Sequence, residues 1–205
     1  MAKARQSYHH GDLRKALIEA GIAILAEGGT EGLTLRAAAA RAGVSHAAPA
    51  HHFGSLQGLL TAIATVGFER FHAAIDLAMA IAPPSPVERL RAAGRAYVGF
   101  AIAHPAIVQL MFSGPRLDWS RATLCVAADR AYLQLTDIVA PAAEHLGATD
   151  EASRSELALM VWSSVHGYAH LAIAGVLDRG ATGKLPPVPD VPGLLFGAWK
   201  SRRRK

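Results

Sequence analysis

Residues 34–53, reading TLRAAAARAGVSHAAPAHHF, confine this chain more tightly than any other stretch. An alanine-rich segment leads into Gly43-Val44-Ser45, and a second short segment ends in two histidines and an aromatic. Gly43 can take the left-handed conformation that closes a helix. Val44 can turn back toward a core, and Ser45 can cap the next helix. Two short helices joined by a tight glycine-containing turn make a helix-turn-helix, whose second helix fits the DNA major groove. Ala38 and Ala39 carry small side chains, which predicts close crossing by a neighbouring helix.

The flanks read as helices too. Asp12 is a cap candidate, Leu13, Leu17, Ala20 and Ile24 keep helical spacing, and Gly28-Gly29 stops the run. Thr34 can cap the segment that ends near Ala42, and Ser45 starts the next. From Leu56 an amphipathic run through Leu59, Leu60, Ile63, Val66, Phe71 and Ile75 reaches about Ala82, where Pro83-Pro84-Ser85-Pro86 breaks it. Further helices are expected over residues 86–103, 105–112, 119–146, 150–174 and 192–200. No useful strand alternation appears. The expectation is an all-α chain of about nine helices, a three-helix DNA-binding domain followed by a larger helical bundle. Its divisions would be 8–55, a connecting helix 56–82, an effector-binding and dimerisation domain 83–200, and a basic tail 201–205.

Charge has to be read by position. The net charge is +5 over 205 residues, yet Lys200, Arg202, Arg203, Arg204 and Lys205 account for all of it. The rest of the chain is formally neutral, so bulk charge announces no nucleic-acid binder, and the tail reads as a solvated terminus. Half the residues are hydrophobic, with few aromatics, which suits a helical globular protein and argues against disorder. The single Cys125 permits neither an internal disulfide nor a cysteine-rich zinc site. No charged-then-apolar leader is evident, which predicts a cytoplasmic protein.

Residues 157–177 contain no charge and could span a bilayer by length. Ser163, Ser164, His166, Tyr168 and His170 would be costly against lipid, however. Asp150, Glu151 and Glu156 mark a helix start just upstream. An apolar helix of this kind is expected where a core meets a subunit interface, not in a membrane.

With these helices assembled, residues 11–71 resemble the DNA-binding domain of the TetR family. The resemblance rests on an apolar first helix ending AEGG, on Thr34-Leu35-Arg36, on Ala42-Gly43-Val44-Ser45, and on His52-Phe53 followed by Leu59-Leu60. The leading YHHGDLR and the run Val44-Ser45-His46-Ala47-Ala48-Pro49 resemble one branch, whose C-terminal domain carries a Trp-x-x-x-His-Gly signature. Trp162, His166 and Gly167 match that signature. The resemblance implies a homodimeric, ligand-responsive transcriptional regulator, most often a repressor, on a palindromic double-stranded DNA operator. The rival reading is a helical small-molecule-binding or interaction protein with weak or lost operator binding.

Expected DNA contacts follow from position. Thr34, Arg36 and Ser45 suit phosphates, while His46, Ala47, Ala48 and His51 lie on the first turns of the reading helix. His52, beside Phe53, serves phosphate or base contact or packing. Pro49 removes a helical donor and crowds the carbonyl of Ser45, at the very start of the helix. The family usually has tyrosine and lysine where this chain has Ala50 and Leu56, and both typically contact phosphate. Losing a lysine removes one neutralised phosphate, so weaker or more salt-sensitive binding is expected.

A small apolar or amphipathic effector is expected in the second domain, near His104, Met111, Phe112, Trp119, Trp162, His166 and His170. Trp162, His166 and His170 repeat every fourth residue and share a helix face. Trp162 taken alone reads as core packing. Ser163 and His166 sit three apart on one rigid helix, an ordinary packing relation, and no nucleophile elbow or phosphate loop accompanies them. No catalytic residue, no metal and no cofactor is expected. The clustered His9, His10, His46, His51 and His52 lack acidic or cysteine partners at metal-ligand spacing.

Overall fold

The computed structural model describes residues 10–177, 186–188 and 190. Those residues form eight α-helices and two 3-10 turns, with no strand among them. The helices are α1 (His10–Gly28), α2 (Leu35–Ala42), α3 (Ala48–Phe53), α4 (Leu56–Ile81), α5 (Pro86–Ala103), α6 (Pro105–Met111), α7 (Ala122–Leu146) and α8 (Glu151–Ile173). The all-α expectation holds. The short helix predicted over residues 192–200 and the basic tail lie outside the described residues.

The chain divides into two compact units, Met1–Gly67 with Ala106–Cys125, and Phe68–Pro105 with Val126–Lys205. In the first, α1 packs on α2 and α3. Its core is made of Leu17 and Leu25 from α1, Ala38 and Ala39 from α2, Phe53 from α3, and Leu59 and Ile63 from α4. Gly21 lets α1 and α4 meet, because a Cβ there would lie 2.6 Å from Ile63 Cδ1. Asp12 falls within the first turn of α1, where its charge still favours the helix N-terminus.

Thr34 caps α2 as its sequence position predicts, its hydroxyl accepting from the Ala37 amide at 3.0 Å. Replacing Thr34 by alanine should cost about 1 kcal/mol, read from the urea midpoint of the full chain. An unchanged midpoint would mean the exposed bond is matched by water.

In the second unit α5 packs along α8. Leu90, Val139, Ala142, Ala143, Ala158 and Val161 from α5, α7 and α8 form one buried cluster. Pro86 opens α5, where its missing donor costs nothing. Asp150 caps α8 by accepting from the Ser153 amide at 2.8 Å, which lowers its carboxyl below the usual range. Thus the acidic cluster at 150–156 does mark a helix start. Among the described residues, no helix is long and apolar enough to cross a membrane. On α8, Ala158, Val161, Val165, Tyr168, Ala169 and Ala172 are buried, whereas Leu159, Met160, Ser163, Ser164, Gly167 and Leu171 are exposed or half-buried.

Candidate functional site

The α2–α3 turn follows from its residues one by one. Gly43 adopts φ 67° and ψ 32°, the left-handed region that favours glycine. The Val44 amide donates to the Ala39 carbonyl at 3.0 Å and the Gly43 amide to Ala40 at 3.2 Å. This paired closure is a Schellman motif, and it satisfies carbonyls the helix end would otherwise leave bare. Val44, just beyond it, is half-buried.

Ser45 departs from expectation. It does not cap α3: the N-cap is Ala47, with no side-chain cap bond, and the helix starts at Ala48. The reason is Pro49, which has no N–H to offer the Ser45 carbonyl. That carbonyl instead accepts from Ala48 at 3.0 Å in a turn, and the next α-type bond is His51 to Ala47 at 3.1 Å. Ser45, His46 and Ala47 therefore form a lead-in turn, and α3 proper is only 6 residues long. Pro49 is fully buried, so its ring doubles as core.

The surface this leaves is clear. His46, Ala47, Ala50 and His51 are exposed, and Phe53 is buried behind them. Thr34, Arg36, Ser45, Ala48 and His52 all keep some solvent-facing surface around that row. His52 stands edge-on to His51 at 5.6 Å and tilted against Phe53 at 6.2 Å. The Arg14 guanidinium sits 5.4 Å from the Phe53 ring centre, so this basic residue leans on α3 from α1. Arg41, at the end of α2, is held by Glu27 through two bonds of 2.5 Å, which keeps the Glu27 carboxyl below its ordinary pKa.

Two further residues shape this surface and are not singled out by their sequence context. Ser55 caps α4, its hydroxyl accepting from the Gly58 amide at 3.1 Å. A Cβ on Gly58 would fall 2.0 Å from the Phe53 carbonyl oxygen, so only glycine lets α4 start against the end of α3. A serine three residues before a glycine is the available signal, and it is weak.

In the second unit, rings gather around Tyr97. Its hydroxyl lies 2.6 Å from His166 Nδ1, and the Trp162 indole N–H also bonds it. Burial pushes the Tyr97 hydroxyl up to about 12, and burial with the neighbouring His170 lowers His166. The ring centres of His166 and His170 are 4.3 Å apart, and His170 Nε2 is buried with no partner among the described residues. Trp162 is flanked by Tyr132 at 6.3 Å. Phe71 stands edge-on to Tyr97 at 4.9 Å and to Phe100 at 5.5 Å, and His104 tilts over Phe100 at 4.8 Å.

Comparison with known proteins decides the family. Residues 17–63 match the family described as bacterial regulatory proteins, tetR family, and residues 90–184 match the tetracyclin repressor-like C-terminal domain. Both halves are thus accounted for, in the expected order. The chain belongs to the TetR family. Its class is that of DNA-binding transcriptional regulators. The fold is also that of a protein of unknown function from Rhodococcus sp. RHA1, at 34% identity and TM-score 0.76 over 96% of this chain and 98% of that one. It is further similar to the TetR regulator PfmR from Thermus thermophilus, at 22% identity, TM-score 0.59, and 92% and 97% coverage. AibR, solved in complex with isovaleryl coenzyme A and operator DNA, matches at 19% identity, TM-score 0.59, and 91% and 97% coverage. No curated protein matches the chain.

Within this TetR-family chain, the residues expected around an effector fall in both units. Trp162, His166 and His170 come together on α8, with Tyr97 as a partner that spacing could not reveal. His104 joins the same ring system through Phe100. Met111, Phe112 and Trp119 belong to the other unit. There Met111 is fully buried, its Cγ and Sδ 3.0 Å from where a Gly67 Cβ would stand. Trp119 is 44% exposed, with its indole N–H on the Gly114 carbonyl at 3.1 Å.

Proposed function

We propose that this protein is a ligand-responsive transcriptional repressor, cytoplasmic, acting as a homodimer on a palindromic operator. The observation that carries this reading is the exposed row His46, Ala47, Ala50 and His51, presented by α3 and its lead-in turn behind the glycine closure. Small side chains at Ala47 and Ala50 admit close backbone approach, and His46 and His51 can bond base edges or phosphates. Thr34, Arg36, Ser45, Ala48 and His52 complete the proposed contact set. Two such helices read half-sites roughly 34–36 Å apart. The proposed division is the one read from sequence: residues 8–55 bind DNA, 56–82 connect, and 83–200 take ligand and dimerise. The pairing of Trp162 and His166 with Gly167 supports placement in the branch with the Trp-x-x-x-His-Gly signature.

The test is electrophoretic retardation with the DNA flanking the protein's own gene. Specific retardation that survives competitor DNA supports the reading, and His51→Glu should weaken it about tenfold or more by setting an anion against the phosphates. Equal affinity in the variant would remove α3 from the interface. A second reading draws on Ala50 and Leu56, which replace two customary phosphate anchors, and treats the chain as a helical ligand-binding protein. It wins if all retardation vanishes with competitor.

Dimerisation is proposed through the α8 face of Met160, Ser164, Gly167 and Leu171. An added Cβ at Gly167 would meet open space, so a second helix can come close there. Leu171→Arg should shift the protein from dimer to monomer in light scattering, whereas an unchanged mass would move the interface elsewhere.

A further inference from the structure

The exposed row on α3 and its lead-in turn carries no permanent charge. Ala47 and Ala50 have no polar side-chain atom, so His46 and His51 are the only residues of the row that can bond through their side chains. Both are exposed, His46 on the lead-in turn and His51 on α3 itself. Neither is paired with a carboxylate among the described residues, and His51 meets the edge of the His52 ring at 5.6 Å.

Fixed charges sit on the neighbouring helices instead. α1 and α2 pack against α3. α1 carries His10, Asp12, Arg14, Lys15, Glu19 and Glu27, and α2 carries Arg36 and Arg41. Arg41 is held by Glu27, and Arg14 leans on the Phe53 ring. α4, which follows α3 directly, has no charged residue before Glu69.

Histidine in water changes charge at about pH 6.5, whereas lysine and arginine stay charged. A neutral imidazole offers one donor and one acceptor, and an imidazolium offers two donors and a positive charge. The DNA surface that α3 would face is rich in acceptors. These are phosphate oxygens and, in the major groove, guanine N7 and O6, adenine N7 and thymine O4. Only the amino groups of adenine and cytosine donate there. The charged form of each histidine complements such a surface better than the neutral one.

We propose that operator binding is proton-linked: His46 and His51 take up protons as DNA docks, and their imidazolium forms anchor its acceptors. This rests on the reading of α3 as the operator-facing helix. It gives the chain a conditional substitute for the phosphate anchors replaced by Ala50 and Leu56. Contact with phosphate raises the proton affinity of an imidazole above that in the free protein. The contribution is therefore complete below the free protein's titration range and is lost as pH rises through the higher range of the complex. Each linked proton changes affinity by up to about tenfold per pH unit.

The test is fluorescence anisotropy of the full chain with a labelled fragment of the DNA flanking its own gene, at constant ionic strength. Affinity should be about tenfold higher at about pH 6 than at about pH 8. The slope of log affinity against log salt should steepen by about one to two over the same interval, as the histidines neutralise phosphates. His46→Gln combined with His51→Gln keeps neutral donors and acceptors and should hold affinity at the native high-pH value throughout. His51→Arg, with a permanent charge, should tighten binding at the higher pH, a gain that loss of folding cannot produce. Affinity that is flat with pH would overturn the proposal. So would tighter binding at high pH, which neutral imidazoles accepting from adenine or cytosine amino groups would give. A pH dependence that survives the double glutamine change, or no gain from His51→Arg, would also overturn it. Specific binding without a pH effect leaves the operator reading intact, whereas no specific binding at either pH removes that reading and this proposal together.

Discussion

Replacing Gly58 by alanine is expected to destabilise the protein by about 3 kcal/mol and to abolish specific operator retardation. The new methyl carbon would sit 2.0 Å from the Phe53 carbonyl oxygen, far inside contact distance. Backbone, not a flexible side-chain end, is what it meets, so relief requires α3 and α4 to part. Phe53 closes the core beneath α3, and the Gly54 amide bonds Ala50 at 2.9 Å just beyond it. Displacing this corner therefore moves the exposed His51 row while α2 and its cap stay intact. Denaturant unfolding and retardation of the same preparation check both effects. A Gly58→Ala protein of native stability and affinity would show that the corner yields cheaply. Gly43→Ala makes a useful contrast, since there the penalty is left-handed backbone alone, about 1 kcal/mol.

Truncating Met111 to alanine is the second large effect, a loss of about 3 kcal/mol, within the usual range for a long apolar side chain in a core. Met111 has no exposed surface, and its sulfur and Cγ fill the space a side chain at Gly67 would take. The surrounding Ile107, Val108 and Leu110 are buried with it, so the site has little freedom to collapse. Met111→Leu keeps most of the volume and should cost less than about 1.5 kcal/mol. A large loss for alanine with a small one for leucine, read from thermal unfolding, identifies packing. Should alanine be nearly neutral, Met111 would instead face a space able to take a ligand.

The segment around Gly43 is legible because each residue there acts locally. A left-handed glycine, a threonine whose hydroxyl reaches an amide three residues on, and two alanines at a helix crossing need no knowledge of distant chain. Ser45 is the exception, although the decisive residue, Pro49, lies in plain view. Its missing donor reads as strain inside a helix, when it instead delays the helix to Ala48. On α8, spacing of four correctly puts Trp162, His166 and His170 on one face. It cannot supply Tyr97, which lies on another helix 69 positions away from His166.

By itself, then, the sequence determined helix content, the helix-turn-helix closure and the family, since periodicity, capping and turn chemistry are properties of short stretches. Tertiary structure alone decided that Gly21, Gly58 and Gly67 must remain bare, that Met111 is core, and that Tyr97 meets Trp162 and His166. Each depends on the distance between atoms that the local pattern of residues does not fix. Close packing, rather than composition, sets those distances.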